Sequence, residues 1–299
     1  MKRTIIIAFL ILSLLLVACK SNNQQQQVGN VFRGGSQGVL ANFESFGVLE
    51  GGTQAIFDSE AFPIEVTVQN KGEYEIQPND IQVELLGPSV EEFQGIPSRT
   101  LPNQDILEKV TDLNPEGGEE TISFATDAKF NGDVTNFLDR DWFANIEYNY
   151  QTSLVIPQVC LKEDLTDDRI CQVAEPKQFF VSGAPITVTT VNQDTAGKGI
   201  MALKIKIKNS GTGKVTKVGS DFDDNREELT YSIDDDAWEC KSGGKVNEAR
   251  LYNGEAELLC KLKNPLDQDT LATKQLRLTF DYRYRELVKQ GLRIKESVH

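Results

Sequence analysis

Apolar and polar residues alternate along several stretches of this chain. The alternating runs are residues 64–70, 81–85, 146–150, 203–208 and 276–285. Because successive side chains of a strand point to opposite faces, such runs predict strands with one buried and one solvated face, as in antiparallel sheets. No stretch of 12 or more residues after Cys19 carries a helical stripe of apolar residues. The pattern predicts an all-β protein, with at most a short turn of helix over 134–141.

The strand pattern occurs twice along the chain. Residues 63–72 align with residues 202–211, a period of 139 residues, and both runs end in Asn-x-Gly, at Asn70 and Asn209. In such a turn Gly permits a positive φ and Asn hydrogen-bonds the local backbone. Each unit also ends in an aromatic strand, which carries one of the tyrosine pairs Tyr148/Tyr150 and Tyr282/Tyr284. A repeat of this length predicts two sandwich domains, which we expect to fold independently.

The first nineteen residues form a pattern of their own. Lys2 and Arg3 precede residues 5–18, which are apolar apart from Ser13. A membrane-spanning helix needs roughly 18 or more apolar residues, so this shorter run is typical of a secretory signal. The run closes in Leu-Val-Ala-Cys, which resembles a lipobox and predicts that Cys19 is lipidated. An ordinary cleaved signal peptide and an uncleaved membrane anchor are the alternatives.

Composition agrees with a location outside the cytoplasm. Residues 20–35 are polar and without a period, which predicts a flexible tether behind the anchor. The chain has 31 Lys and Arg against 45 Asp and Glu, a net charge of −14. This acidic balance disfavours nucleic acid as a partner, since nucleic acid requires basic patches. We expect a protein held on the outer side of the cell membrane by its N-terminal lipid.

Five cysteines are present, and four remain if Cys19 carries a lipid. An even number of cysteines in an exported chain indicates disulfides. Of the three possible connectivities, the sequential one is favoured because each pair brackets a local hairpin: Cys160 with Cys171, and Cys240 with Cys260. The spacings lack the paired C-x2–4-C knuckles of zinc sites.

The strand ends carry a resemblance to a known family. The runs that end in Asn-Lys-Gly at Gly72 and Asn-Ser-Gly at Gly211 resemble the immunoglobulin-like modules of prokaryotic surface proteins, with CARDB-type adhesion-related domains the nearest. Residues 38–43, before Phe62 and Pro63, are similar to the opening of tandem sandwich domains in archaeal surface proteins. The resemblance covers about 30 residues of each repeat. It implies two Ig-like antiparallel β-sandwiches with a binding or scaffolding role, and no catalytic residues.

The expected domain organisation follows from the repeat, the N-terminal signal and this resemblance. Its parts are a lipoprotein signal peptide over 1–19, a polar tether over 20–35, a first Ig-like β-sandwich over 36–156, a connector with the Cys160–Cys171 loop over 157–185, and a second Ig-like β-sandwich over 186–299.

The densest acidic stretch, residues 221–239, is a candidate for calcium binding. Asp221, Asp223 and Asn225 begin like an EF-hand loop. That loop needs Gly at its sixth position and Glu at its twelfth, where this chain has Arg226 and Ser232. The EF-hand interpretation therefore fails. A looser Ca²⁺ site at Asp221, Asp223 and Asn225 and a solvated acidic loop without metal both remain open.

Enzyme interpretations have little support in the sequence. The single His is the last residue, His299, so a nucleophilic triad has no other His to draw on. Trp142, Trp238 and the tyrosines could form a carbohydrate-binding platform, but their period-2 spacing favours a core. We therefore expect a non-catalytic surface lipoprotein that binds an envelope protein or glycan, or scaffolds the envelope. The alternatives are a subunit of a surface assembly or filament formed by β-strand addition and, more distantly, an accessory protein for carbohydrate binding or hydrolysis.

Overall fold

The computed structural model describes residues 31–89, 91–167, 169–223 and 225–297. The predicted signal peptide, Cys19, most of the tether and His299 lie outside these residues. Within them the regular elements are all strands, which confirms the all-β prediction. The described residues include no helix that could span a membrane.

The described residues form twenty strands. In chain order they are β1 (Val39–Phe43), β2 (Val48–Glu50), β3 (Thr53–Phe57), β4 (Ala61–Asn70), β5 (Ile81–Leu86), β6 (Phe93–Gln94), β7 (Thr100–Pro102), β8 (Glu119–Phe130), β9 (Phe137–Lys162), β10 (Glu175–Pro176), β11 (Phe180–Val181), β12 (Ile186–Gly197), β13 (Ile200–Asn209), β14 (Lys214–Thr216), β15 (Glu227–Ile233), β16 (Trp238–Ser242), β17 (Lys245–Val246), β18 (Glu248–Leu251), β19 (Glu255–Leu262) and β20 (Leu271–Lys295).

The strands form three sheets. A four-stranded sheet has the order β1-β4-β8-β6, and a six-stranded sheet has the order β10-β12-β13-β19-β16-β17. The third, central sheet runs β18-β15-β20-β9-β5-β7, with β11 beside β9, β14 and β3 beside β20, and β2 beside β3. The pairings within the described strands are antiparallel except that of β20 with β3, which is parallel.

The longest ladder of the central sheet joins β9 to β20. It extends from Phe137 opposite Lys295 to Lys162 opposite Leu271. Even-numbered residues of both strands face inward over most of this length, as the alternating sequence predicts. The two aromatic strands predicted to close separate domains are therefore direct neighbours.

The outer sheets divide the fold into two modules. The first module is the four-stranded sheet with β2, β3, β5, β7, residues 137–150 of β9 and residues 284–295 of β20. Its core includes Trp142 of β9, whose ring lies 5.1 Å from Phe93 of β6 and 6.1 Å from Phe46. The second module is the six-stranded sheet with the remaining strands of the central sheet. Tyr231 of β15 donates a hydrogen bond of 3.0 Å to the carbonyl of Cys240 in β16, which joins its two sheets.

The modules share β9 and β20, and this corrects the expected boundaries. β9 passes from the first module into the second, so the boundary expected at 157 falls inside a strand. The turn of helix expected over 134–141 is also wrong, because residues 137–141 already belong to β9. Pro157, the first residue of the expected connector, lies at a register shift of the ladder, between the pairs of Ile156 and Val159. A bulge accommodates proline because no ladder hydrogen bond from its nitrogen is needed there.

Candidate functional site

Four buried tyrosines meet where the two modules join, and we call this cluster the waist. It consists of Tyr148, Tyr150, Tyr282 and Tyr284, each at most 2% exposed. Tyr148 lies 5.6 Å from Tyr284, and Tyr150 lies 6.3 Å from Tyr282, between ring centroids. The predicted placement of these tyrosines in a core is confirmed, so they offer no exposed platform for a sugar ring.

Asn70 holds the first-module side of the waist. Its side-chain nitrogen donates to the carbonyls of Tyr74 at 2.6 Å and Leu107 at 3.1 Å. Its side-chain oxygen accepts from the backbone N–H of Gly72 at 3.2 Å and from the hydroxyl of Tyr150 at 3.0 Å. Asn70 is fully buried, so these bonds satisfy the amide without water.

Asn209 repeats this arrangement in the second module. Its side-chain nitrogen donates to the carbonyl of Gly213 at 2.9 Å. Its oxygen accepts from the N–H of Gly211 at 3.2 Å and from the hydroxyl of Tyr284 at 2.8 Å. The Asn-x-Gly motif seen in the sequence is therefore one half of an asparagine–tyrosine contact that occurs twice.

The glycines of these motifs are required for space and not for a positive φ. Neither Gly72 nor Gly211 has a left-handed backbone. A Cβ at Gly72 would collide with the Tyr150 hydroxyl, and one at Gly211 would collide with the Tyr284 hydroxyl. This corrects the reason inferred from the sequence, since the tyrosine that approaches each glycine is distant in the chain.

Burial controls the ionisation of the four tyrosine hydroxyls in the waist. Desolvation raises the pKa of the Tyr148 and Tyr282 hydroxyls well above the ordinary value, and it also raises the pKa of Tyr150 and Tyr284. Each hydroxyl of the first pair accepts a backbone N–H, from Val39 for Tyr148 and from Ile186 for Tyr282. The four hydroxyls therefore stay neutral and act as hydrogen-bonding groups rather than as acids.

Glu73 connects residues 33–35, near the start of the described chain, to the waist through hydrogen bonds. One of its carboxylate oxygens accepts from the N–H of Arg33 at 2.9 Å. The other accepts from Gly34 at 2.9 Å and from Gly183 at 2.6 Å, and Gly183 lies between β11 and β12. Residues 33–35, which the sequence places in the flexible tether, are therefore part of the folded body. The sequence offers no signal for this contact because its partners are far apart in the chain.

Both predicted disulfides are present in the structure. Cys160 pairs with Cys171 at a Cα–Cα distance of 5.7 Å, and Cys240 in β16 pairs with the directly opposite Cys260 in β19. The loop closed by the first disulfide surrounds Lys162, which is 3% exposed and donates to the carbonyls of Asp167 and Cys171. Structural disulfides indicate an oxidising compartment outside the cytoplasm.

Within the described part of the acidic stretch, ion pairs form at Glu228, Asp235 and Glu239. Glu228 of β15, which is 7% exposed, meets Arg226 at 2.6 Å and Lys217 at 3.6 Å. The ring of Phe222 lies against the guanidinium groups of Arg285 at 4.0 Å and Arg283 at 5.2 Å. These contacts hold residues 220–222 against the outer face of the central sheet.

The calcium candidates occupy the exposed part of this loop. Asp223 uses one carboxylate oxygen to accept the N–H of Asn225 at 2.9 Å, and Asp221 accepts the Thr216 hydroxyl on its carbonyl at 3.2 Å. Asp224 lies outside the described residues. In the described ranges, the described part of this loop included, no group of three or more His, Cys, Asp or Glu side chains is placed to hold a metal. The Ca²⁺ site at Asp221, Asp223 and Asn225 stays a prediction.

A cleft opens at the end of the second module, beside the Cys160–Cys171 loop. Its volume is about 670 Å³, and its walls include Glu163, Asp164, Lys198 and Asp269. Lys198 lies 3.6 Å from Glu163, so the wall presents both charge signs. No family model, curated protein or solved structure matches this chain.

Proposed function

We propose that this chain is a non-catalytic cell-surface lipoprotein, held on the outer face of the membrane through Cys19, whose Ig-like modules scaffold the envelope or bind an envelope protein or glycan. The observation that carries the proposal is the pair of disulfides inside an all-β body that follows a signal-like N-terminus. Disulfides stabilise exported domains, and the lipobox-like sequence supplies a route to the membrane.

The strand order supports an Ig-like assignment for each module. Immunoglobulin sandwiches pack a sheet of order A-B-E-D against a sheet containing G, F and C. In the first module β1-β4-β8-β6 would be A-B-E-D, and β20-β9-β5 would be G-F-C. In the second module β12-β13-β19-β16 would be A-B-E-D, and β9-β20-β15 would be G-F-C. On this assignment each module takes its G strand from the other repeat.

The shared ladder suits a scaffolding role. Tandem domains that meet only at a linker move relative to one another, whereas strands that run through both modules oppose bending. The ladder between β9 and β20 continues through the waist with one register shift, which lies in the second module. A body of this kind can hold two binding surfaces at a set separation, and the polar cleft beside Lys198 is a candidate for one of them.

Lipid labelling tests the anchoring step. We expect Cys19→Ser to abolish incorporation of a labelled fatty acid and to release the protein from the membrane fraction, while the neighbouring substitution Ser21→Ala leaves both unchanged. Continued labelling and membrane retention of the Cys19→Ser chain would show that the lipobox interpretation is wrong.

Affinity capture tests the binding step. Residues 28–299, immobilised through the N-terminus, should retain a specific protein or glycan from an envelope extract. A matched chain with Lys198→Glu should retain less of it if the cleft is the contact surface. Equal capture by both chains would place the contact elsewhere. Turnover of envelope glycans by the purified chain would contradict the non-catalytic proposal.

A further inference from the structure

The last strand of the chain is inserted into the first module. Residues 284–295 of β20 pair with β9 in the antiparallel sense along their whole length. On the other side residues 284–285 pair with β14, and residues 292–295 pair with β3 in the parallel sense. The contact with β3 covers Leu292 to Lys295, opposite Gln54 to Phe57. Removing this segment would leave two strand edges facing an open groove.

Alternate side chains anchor the inserted segment. Leu292 and Ile294 point into the core and are at most 1% exposed. On the opposite face Arg293 forms a two-pronged ion pair with Asp139 of β9, at 2.7 and 2.8 Å. Lys295 reaches Glu50 of β2 at 2.8 Å. In other proteins that bind an added strand, backbone hydrogen bonds supply the affinity, and pockets for alternate side chains supply the specificity.

The residues just before this anchor are less well packed. Glu286, Val288 and Gln290 occupy the inward positions between Tyr284 and Leu292, and all three are only half-buried. Leu287 is 60% exposed. Burial raises the pKa of Glu286, which is consistent with a carboxyl group placed in a poorly suited position. Residues 286–291 are therefore the least firmly packed part of β20 between Tyr284 and the anchor, although their backbone stays paired with β9.

The corresponding part of β9 cannot leave its module. Residues 151–162 pair with β20 in the second module, but the chain continues from Lys162 through the rest of that module. The described part of the chain contains no strand after the inserted part of β20, and residues 296 and 297 follow it there. Among the described strands of this ladder, the inserted segment can therefore withdraw from its groove without threading a loop through the fold.

We propose that residues 286–297 are an exchangeable donor strand, and that the groove of the first module between β9 and β3 accepts the same strand from a second copy of this chain. The strand makes the same contacts in its own chain as in a second copy. The protein concentration therefore determines which of the two arrangements is populated. Such exchange joins the C-terminal end of one copy to the first module of the next. The proposal goes beyond the scaffolding function and does not depend on lipidation.

Cross-linking between two singly substituted copies tests the exchange. Residues 28–299 with Asp139→Cys are mixed with residues 28–299 carrying Arg293→Cys, because these positions face each other in the ladder. After incubation at high concentration, or joint refolding, a disulfide between positions 139 and 293 joins two chains only if the strand has exchanged. We expect a dimer at least ten-fold above the matched pair Leu113→Cys with Arg293→Cys, since Leu113 is 98% exposed and outside the ladder.

A single chain with both Asp139→Cys and Arg293→Cys shows whether the pair can form a bond. If this chain cross-links internally and the mixed chains do not exceed the Leu113→Cys control, the proposal is wrong. If it does not cross-link, two differently tagged but otherwise unsubstituted copies decide the question. Joint refolding should then allow one tag to capture the other, and separate refolding before mixing should not. Absence of capture after joint refolding would also overturn the proposal.

Discussion

Asn149 lies directly opposite Arg283 in the ladder between β9 and β20, and the structure on one side of this pair repeats on the other. Tyr148 faces Tyr284, and Tyr150 faces Tyr282, so a half-turn about the pair exchanges the two tyrosine motifs. The internal repeat of the sequence is therefore arranged as an approximate twofold axis through the waist. Contacts at the waist occur in pairs, which allows each to be tested against its counterpart.

The asparagine–tyrosine contacts should stabilise both modules. Tyr150→Phe removes a hydroxyl that donates to the buried Asn70, and Tyr284→Phe removes one that donates to the half-buried Asn209. We expect each substitution to lower the free energy of unfolding by about 1–2 kcal/mol. Tyr252→Phe is the control, because Tyr252 is 67% exposed. Urea denaturation measures all three. Effects as small as that of the control would show that the waist bonds do not stabilise the fold.

Asn70→Ala should cost more than either tyrosine substitution. It leaves the carbonyl of Tyr74 and the hydroxyl of Tyr150 without their buried partner, and each such loss costs about 1–3 kcal/mol. The carbonyl of Leu107 also loses a bond but keeps the backbone N–H of Ile76. We expect a total of at least about 3 kcal/mol by the same urea measurement. The double variant with Tyr150→Phe should lose less than the sum of the two, because both remove one shared bond.

The two repeats should not fold as separate pieces. The boundaries suggested by the sequence give fragments 28–156 and 186–299, but each lacks the strand that the other supplies to its central sheet. We expect each fragment alone to give an NMR spectrum with little chemical-shift dispersion and to show no cooperative thermal unfolding. The fragments 28–166 and 169–299 keep β9 and β20 whole, and mixing them under oxidising conditions should restore a dispersed spectrum. Independent folding of 28–156 would contradict the importance of the shared ladder.

Stability should fall as pH rises through the titration of Glu286. Burial raises the folded-state pKa of this carboxyl above its unfolded value near 4.3, and its surroundings include Tyr148 and Tyr284. Between the two pKa values the folded protein holds a proton that the unfolded chain releases, so the free energy of unfolding declines with pH across that window. Glu286→Gln removes this dependence and should raise the melting temperature at pH 7 but not at pH 4. Glu257→Gln, on the exposed face of β19, should have no such effect.

Both disulfides should contribute to stability by similar amounts. Their sequence separations are 11 and 20 residues, for which loop-closure entropy gives about 3 kcal/mol each. The double substitutions Cys160→Ala with Cys171→Ala, and Cys240→Ala with Cys260→Ala, measure these contributions by denaturation. Non-reducing peptide mapping of the exported protein should recover the two sequential links and no others.

Sequence alone determined the features that depend on local periodicity. Alternation identified the strands around Ile64, Leu203 and Tyr282, because neighbouring residues of a strand alternate between a buried and a solvated face. The Asn-x-Gly repeat marked Asn70 and Asn209, and the even cysteine count with local spacing indicated the correct disulfides. These features need only neighbours along the chain to be recognised.

Tertiary structure alone decided how the two repeats combine. A β-strand satisfies its backbone hydrogen bonds with whatever edge lies beside it, and the alternating pattern does not say which edge that is. The pairing of β9 with β20, the contact of Glu73 with Gly183 and the insertion of residues 292–295 beside β3 all join positions far apart in the chain. Pro157 therefore suggested a boundary, whereas the ladder continues past it through a bulge.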